Sequence, residues 1–332
     1  MILVNQLFSK SYFIILILSL SFYSCFTTDN VIISGNTMGT TYTITINDFK
    51  GNKKDFKSKI DNKLETLNKI FSTYDPNSEI AAINHSTADI IKISSTFKYV
   101  LNKALKYSDI SNGNYDITIG GLVDLWGFNN YDFQTIPKEE DILNVLVNIG
   151  YYNLSINDDL LIKNNKLVQI DLNSIAKGYA VDEIAKLINA DGYDDFLVEI
   201  GGELKSKGDN WLIGIQDPIN NQIIKKIHFN NISIATSGNY NNYFEINGEK
   251  YSHILNPKTG FPFSYRTISA TVLTKDCIDA DAYATMAMTI SSSDFINLIN
   301  KTDYTEAYVI EIDDNGVFNQ IFSEGFKNYI AD

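Results

Sequence analysis

Apolar and polar residues alternate along this chain in two rhythms, one of strands and one of helices. A period of two runs through Thr41-Tyr42-Thr43-Ile44-Thr45-Ile46, after the Met38-Gly39-Thr40 turn, and returns over 267–274. Such alternation turns one face of a strand to a core and the other to water. Runs over 307–312 and 317–322, around Asp313-Asp314-Asn315-Gly316, read as a final hairpin. The helical period governs 56–71, where Ile60, Leu64, Leu67, Ile70 and Phe71 form one stripe. It returns over 94–111, with Phe97, Val100, Leu101, Leu105 and Ile110 inward, and stops at Asn112-Gly113. Ser78 is placed to cap a short helix over 79–84.

Weaker signals fill the rest. Residues 114–128 combine a short strand, a glycine pair and an aromatic cluster. A helix is expected over 138–147, and two or three short strands within 152–170. The run from Asp171 reads as a strand end and a turn, then a helix to about Asn189. Strands follow over 196–204, ending in Gly201-Gly202, and over 211–217, and residues 227–235 lead into a further hairpin. A helix of small residues begins at Cys277. Strands outnumber helices without a regular βαβ alternation, which favours α+β in one mature domain.

The stretch ATSGNYNNYFEINGEKYSHILNPKTGFP, 235–262, concentrates candidate chemistry. Its pattern predicts a polar turn over 236–239, a strand over 240–246, an Asn247-Gly248 hairpin turn, and a return strand over 249–255. A second turn follows at Asn256-Pro257-Lys258-Thr259-Gly260. His253 rides on the return strand. It reads either as a strand histidine satisfied by hydrogen bonds or as a base presented before a polar turn. His85 and His228, the other histidines, sit in ordinary polar surroundings.

A net charge of −13 argues against nucleic acid as a partner. Arg266 is the one arginine, so a phosphate site cannot rest on several arginine forks. Backbone amides, lysines or a metal would have to serve. Asp281 and Thr285 are four apart on the expected helix, so their oxygens share a face. That pair suits a hard cation such as Mg²⁺, completed by carbonyls, water or substrate phosphate. It equally suits a carboxylate serving the helix dipole and a threonine bonding its own helix. The turn before the helix near Ala176 can bring N–H groups to an anion, or is an ordinary junction.

The first residues read as a targeting segment. Lys10, an apolar run over 12–22 and Ser24-Cys25 predict a lipoprotein-type signal peptide over 1–24, a tether over 25–34 and a catalytic domain over 35–332. The run is too short and too serine-interrupted for a good membrane span. The expectation is an exported protein, lipid-anchored at Cys25 to the bacterial inner membrane and facing the periplasm. A plain secretory signal with an incidental cysteine is the alternative. With Cys25 lipidated, only Cys277 remains and no intramolecular disulfide can form.

Seven segments in one order carry a resemblance: STYDPNSEI, GNYDITIGGLVDLWGF, DLNSIAKGYAVD, VEIGGE, ATSGNY, YSHILNPKTGFP and ADAYAT. Together with Met38-Gly39-Thr40 and the terminal Gly325-Phe326, they resemble the ApbE family of FAD:protein FMN transferases across nearly the whole mature chain. The resemblance implies a T-fold-like domain that binds FAD and Mg²⁺. It implies transfer of FMN through a phosphoester bond to a threonine of a partner flavoprotein, with release of AMP. The expected acceptor is a subunit of a membrane redox complex, an NADH:quinone reductase or an Rnf-type complex. By the same resemblance Met38, Tyr74, Asn114, Tyr115, Asp116, Lys177, His253 and Ile254 lie around the flavin dinucleotide. Asp281, Thr285 and the carbonyl of Ala176 ligate Mg²⁺, and His253 is the base for the acceptor hydroxyl. Gly121, Asn173 and Glu203 depart from the commonest family pattern. Two other readings use the same residues: a Mg²⁺-dependent FAD pyrophosphatase, and a lipoprotein that stores FAD.

The chemistry of the residues agrees. Cleaving a pyrophosphate needs charge neutralisation, which a metal supplies where arginines are lacking. A threonine hydroxyl is a poor nucleophile until a base takes its proton, and histidine titrates in the range for that.

Overall fold

Among the described residues the first elements are a hairpin of β1 (Asp29–Thr37) and β2 (Thr40–Phe49), in a computed structural model that describes residues 29–128, 135–218, 220, 222–239, 243–246, 249–264, 266–313 and 315–331. Next come α1 (Lys53–Phe71), α2 (Glu79–His85), β3 (Ile90–Lys92), α3 (Ser95–Ile110), α4 (Gly120–Leu125), α5 (Glu139–Leu146), β4 (Leu154–Asn157) and β5 (Leu160–Lys163). The middle holds α6 (Ala176–Ala190), β6 (Phe196–Ile200), β7 (Glu203–Lys207), β8 (Leu212–Gln216), β9 (Ile223–His228), β10 (Ser233–Gly238), β11 (Tyr243–Ile246) and β12 (Glu249–Ser252). The chain ends with β13 (Thr267–Thr274), α7 (Cys277–Ala287), α8 (Ser292–Ile299), β14 (Glu306–Ile312) and β15 (Phe318–Phe322).

One antiparallel sheet of eight strands, in the order β1-β2-β6-β7-β10-β13-β14-β15, forms the frame. Period-two alternation sorts its side chains to two cores. Phe196, Val198, Ile200, Ala270, Val272, Ala307 and Val309 face the main core. There they meet Phe56, Ile60, Leu64, Leu67 and Phe71 of α1 and the buried residues of α6 and α7. Leu197, Leu204, Leu273, Tyr308 and Ile310 face the other side, under Ile215 and Ile227 of the β8–β9 hairpin. A third cluster joins Leu122, Val123, Trp126 and Ile142 to Leu255. The α+β architecture expected from the pattern is the one observed.

Several expectations are corrected. Residues 29–34, expected as part of a tether, belong to β1 and so to the domain: Val31 and Ile33 are buried, Ile32 is exposed, and β1 pairs along β2. The pairing runs back across the Met38-Gly39 turn, and the short Val-Ile-Ile run on its own did not announce it. The strand expected over 196–204 is two strands. Gly201 and Gly202 have φ of 63° and 102°, a conformation glycine takes without penalty, and they turn the chain into β7. Residues 236–238 are not a turn but the end of β10, paired with Thr271, Ala270 and Ser269. No strand forms over 114–119. Asp116 accepts hydrogen bonds from the Thr118 backbone N–H (2.8 Å) and hydroxyl (2.6 Å), folding the segment locally before α4. The return strand stops at Ser252, so His253 follows β12 rather than riding on it. Ile110 is 36% exposed, because the helix stripe turns outward at its last residue.

Other expectations hold. Ser78 caps α2 by accepting from Ala81 N at 3.1 Å. Asn112 (φ 51°) and Gly113 (φ 69°) end α3 in the left-handed region, with Gly113 N donating to Ser108 O at 2.8 Å. β11 and β12 pair as expected, while their Asn247-Gly248 turn lies outside the described residues, as do the signal segment and Cys25.

Candidate active site

Strand register brings four segments to one end of the large sheet. The Met38-Gly39 turn joins β1 to β2, and Tyr42 of β2 pairs with Ile200 of β6. Gly201 N then donates to Thr41 O at 3.0 Å, which sets the two turns side by side. β7 starts here with Glu203, and β10 ends here with Thr236-Ser237-Gly238. Met38 (φ 49°) and Gly39 (φ 72°) are both left-handed, as a two-residue hairpin turn requires.

Two helices close over this end and interlock. Asp182 of α6 accepts from Cys277 N and Ile278 N, both at 3.0 Å, which satisfies the first donors of α7. Asp281 of α7 accepts in return from Gly178 N of α6 at 2.9 Å. Lys205 of β7 donates to Asp182 at 2.6 Å and ties the pair to the sheet. The helices meet at Gly178, where a Cβ would lie 2.3 Å from the Cys277 carbonyl oxygen and 2.8 Å from Asp281 Cβ. Only a glycine allows that approach.

The interlock assembles much of the expected metal site. Asp281 is buried, and Thr285, one helical turn on, has its hydroxyl 3.3 Å from Ser237 Oγ. The Lys177 ammonium lies 2.7 Å from Glu203 Oε1 and 3.9 Å from Asp281 Oδ1. Ala176 precedes Lys177 as the first residue of α6. Tyr115, also buried, accepts a hydrogen bond from Ser174 Oγ at 2.8 Å, just ahead of α6.

Burial pushes the Glu203 carboxyl up to about 8, against the pull of Lys177 and with the added repulsion of Asp281. Burial likewise raises Asp281. Burial works against the Lys177 charge, but Asp281 and Glu203 outweigh it and hold its pKa above the usual lysine range. Two buried carboxylates therefore share one ammonium, and Glu203 Oε2 is buried without a hydrogen-bond partner. A cluster short of positive charge, with a carboxylate and a hydroxyl one turn apart, fits a hard divalent cation. Among the described residues no group of three His, Cys, Asp or Glu side chains could hold a metal. The donor set expected here is of a different kind: one carboxylate, one hydroxyl and one carbonyl.

The remaining expected residues lie on neighbouring segments. Asn114 and Asp116 flank Tyr115. Both Asp116 oxygens are engaged, one by Thr118 and the other by Tyr151 N at 2.9 Å, so this buried carboxylate holds the loop in shape. Half-buried His253 stands 6.4 Å from the Phe128 ring, edge to face. Its segment is locked by a Leu255–Pro262 bridge, by Phe263 N donating to Ile254 O at 2.9 Å, and by Trp126 Nε1 donating to Gly260 O at 2.8 Å. The tryptophan thus joins the GNYDITIGGLVDLWGF segment to the YSHILNPKTGFP segment. Ile254 is buried against the main core. Tyr74 is 56% exposed on the loop between α1 and α2, presenting an aromatic face to solvent. Sequence reading gave no role to Gly178, Asp182 or Glu203. Their function depends on a contact between α6, α7 and β7, which no local pattern encodes.

The ApbE family model matches residues 38–309. An FAD:protein FMN transferase of Vibrio cholerae is 34% identical over 91% of this chain and 93% of its own length. One from Haemophilus influenzae is 32% identical over 93% and 94%. The solved flavin transferase ApbE of Vibrio cholerae superposes with a TM-score of 0.84 at 33% identity, covering 91% of this chain and 99% of that one.

Proposed function

This chain belongs to the ApbE family, and from that premise we propose that it is an FAD:protein FMN transferase, taking FMN from FAD and attaching it to a threonine of a partner flavoprotein with release of AMP. The observation that carries the reading is the α6–α7 interlock, which sets Asp281, Thr285, Ala176 and Lys177 together at one end of the sheet.

In this reading Asp281, Thr285 and the Ala176 carbonyl would hold Mg²⁺, which when bound supplies charge neutralisation at the pyrophosphate. Lys177 adds a second positive charge to the same phosphates. Tyr74, Met38, Asn114, Tyr115 and Ile254 surround the dinucleotide, and Asp116 keeps Tyr115 in place. His253 takes the proton from the acceptor threonine Oγ. The threonine oxygen forms a new P–O bond to the FMN phosphorus, the P–O bond to AMP breaks, and AMP leaves with the electron pair. The acceptor is a subunit of a membrane redox complex, and the enzyme works outside the cytoplasm, anchored through Cys25.

The test is incubation with FAD, Mg²⁺ and a candidate acceptor. The acceptor should gain the mass of one FMN less one water while AMP appears in equal amount. Free FMN and AMP beside an unmodified acceptor would establish a pyrophosphatase instead. Unchanged FAD would leave only storage.

A further inference from the structure

Glu203 is 4% exposed and sits directly after the Gly201-Gly202 turn. The turn is pinned by Gly201 N donating to Thr41 O at 3.0 Å and Gly202 N donating to Glu199 Oε1 at 2.9 Å. The Glu203 backbone is therefore fixed, and Oε1 reaches Lys177 Nζ at 2.7 Å. The same ammonium is 3.9 Å from Asp281 Oδ1, inside Coulomb range but beyond a hydrogen bond. The Lys177 side chain keeps 28% exposure, so it has room to move. An ammonium with no other partner would close on Asp281 and occupy the carboxylate oxygen that a cation needs.

We propose that Glu203 is a positioning residue that holds the Lys177 ammonium off Asp281 and so keeps Asp281 open to a divalent cation. The proposal rests on the reading that Asp281 and Thr285 bind Mg²⁺. Glu203 touches neither cation nor flavin in this account; it acts through Lys177. Partners one shell out from a metal ligand are commonly worth 10–100-fold in metal affinity.

The test is calorimetric titration of Mg²⁺ into FAD-saturated protein without acceptor, on the wild type, Glu203→Gln, Lys177→Met and the double variant. Glu203→Gln should raise the Mg²⁺ Kd by roughly tenfold or more. In the Lys177→Met background the same change should move Kd by less than about twofold, since the ammonium to be held is gone. Equal weakening in both backgrounds would show that Glu203 acts on the cation directly, and would overturn the proposal, as would an unchanged Kd in the single variant. Should Glu203→Gln fail to fold, Glu203→Asp keeps the charge and shortens the reach; it should weaken Mg²⁺ several-fold, and an unchanged Kd there counts against the proposal. A wild-type protein that binds no Mg²⁺ would instead remove the metal reading itself.

Discussion

At Gly178 one missing atom decides whether α6 and α7 can meet. A helical Gly→Ala change normally gains up to about 1 kcal/mol of helix propensity. Here the added methyl would lie 2.3 Å from the backbone oxygen of Cys277, which no side-chain rotation can relieve. Steric cost therefore wins. Gly178→Ala should lower stability by about 1–3 kcal/mol, read as a lower midpoint in denaturant with an unchanged slope. A variant as stable as the wild type would mean that the helices separate freely. Residue by residue, the chemistry was only partly legible in the sequence. Asp281 and Thr285 stood out because four-residue spacing defines a helix face. Glu203 did not, because it follows an ordinary Gly-Gly pair, and its partner Lys177 is 26 positions away. The partners of Asp116 were not legible either: its oxygens accept from Thr118 and Tyr151, and the Tyr151 contact spans 35 positions.

Among elements, local periodicity was enough for helices and insufficient for strand ends. α1 and α3 follow from their apolar stripes, and α2 from its Ser78 cap, all encoded within a few residues. Strands depend on neighbours. β1 is held by β2, and the last residues of β10 by β13, so a short apolar run and a Thr-Ser-Gly run looked like a tether and a turn. The Gly201-Gly202 pair reads in the sequence as part of a strand end. It serves as a hairpin turn, and through that turn it places Glu203. The active-site helices show the same dependence. α7 lacks a capping side chain of its own at Asp276, and Asp182 of α6 supplies the acceptor. The start of one helix is thus completed by the middle of another, and the buried carboxylate of Asp281 inherits its position from that contact.

For the whole molecule, the order of motifs carried more than any single one. Seven weak segments in sequence pointed to the family, and the sheet explains why they are spread out: turns from β1–β2, β6–β7 and the end of β10 converge on the helices α6 and α7. Location rests on the first residues. No helix among the described residues is long and apolar enough to cross a membrane. With export and lipidation at Cys25, Cys25→Ser should leave the protein unprocessed or release it from the membrane fraction. Normal processing with full membrane retention would refute the anchor.

In the proposed function His253 moves the proton while the α6–α7 cluster handles the phosphates. The direct measurement is single-turnover FMN transfer by folded, FAD-saturated His253→Ala, taken beside its melting curve. His253 lies in a bend held by the Leu255–Pro262 bridge and the Trp126–Gly260 hydrogen bond, so its removal should leave the segment in place. Transfer should slow by roughly 10²–10⁴-fold, the usual worth of a general base, with the melting temperature and FAD binding near wild type. A near wild-type transfer rate in the folded variant, or a loss that only follows the unfolded fraction, would contradict the account.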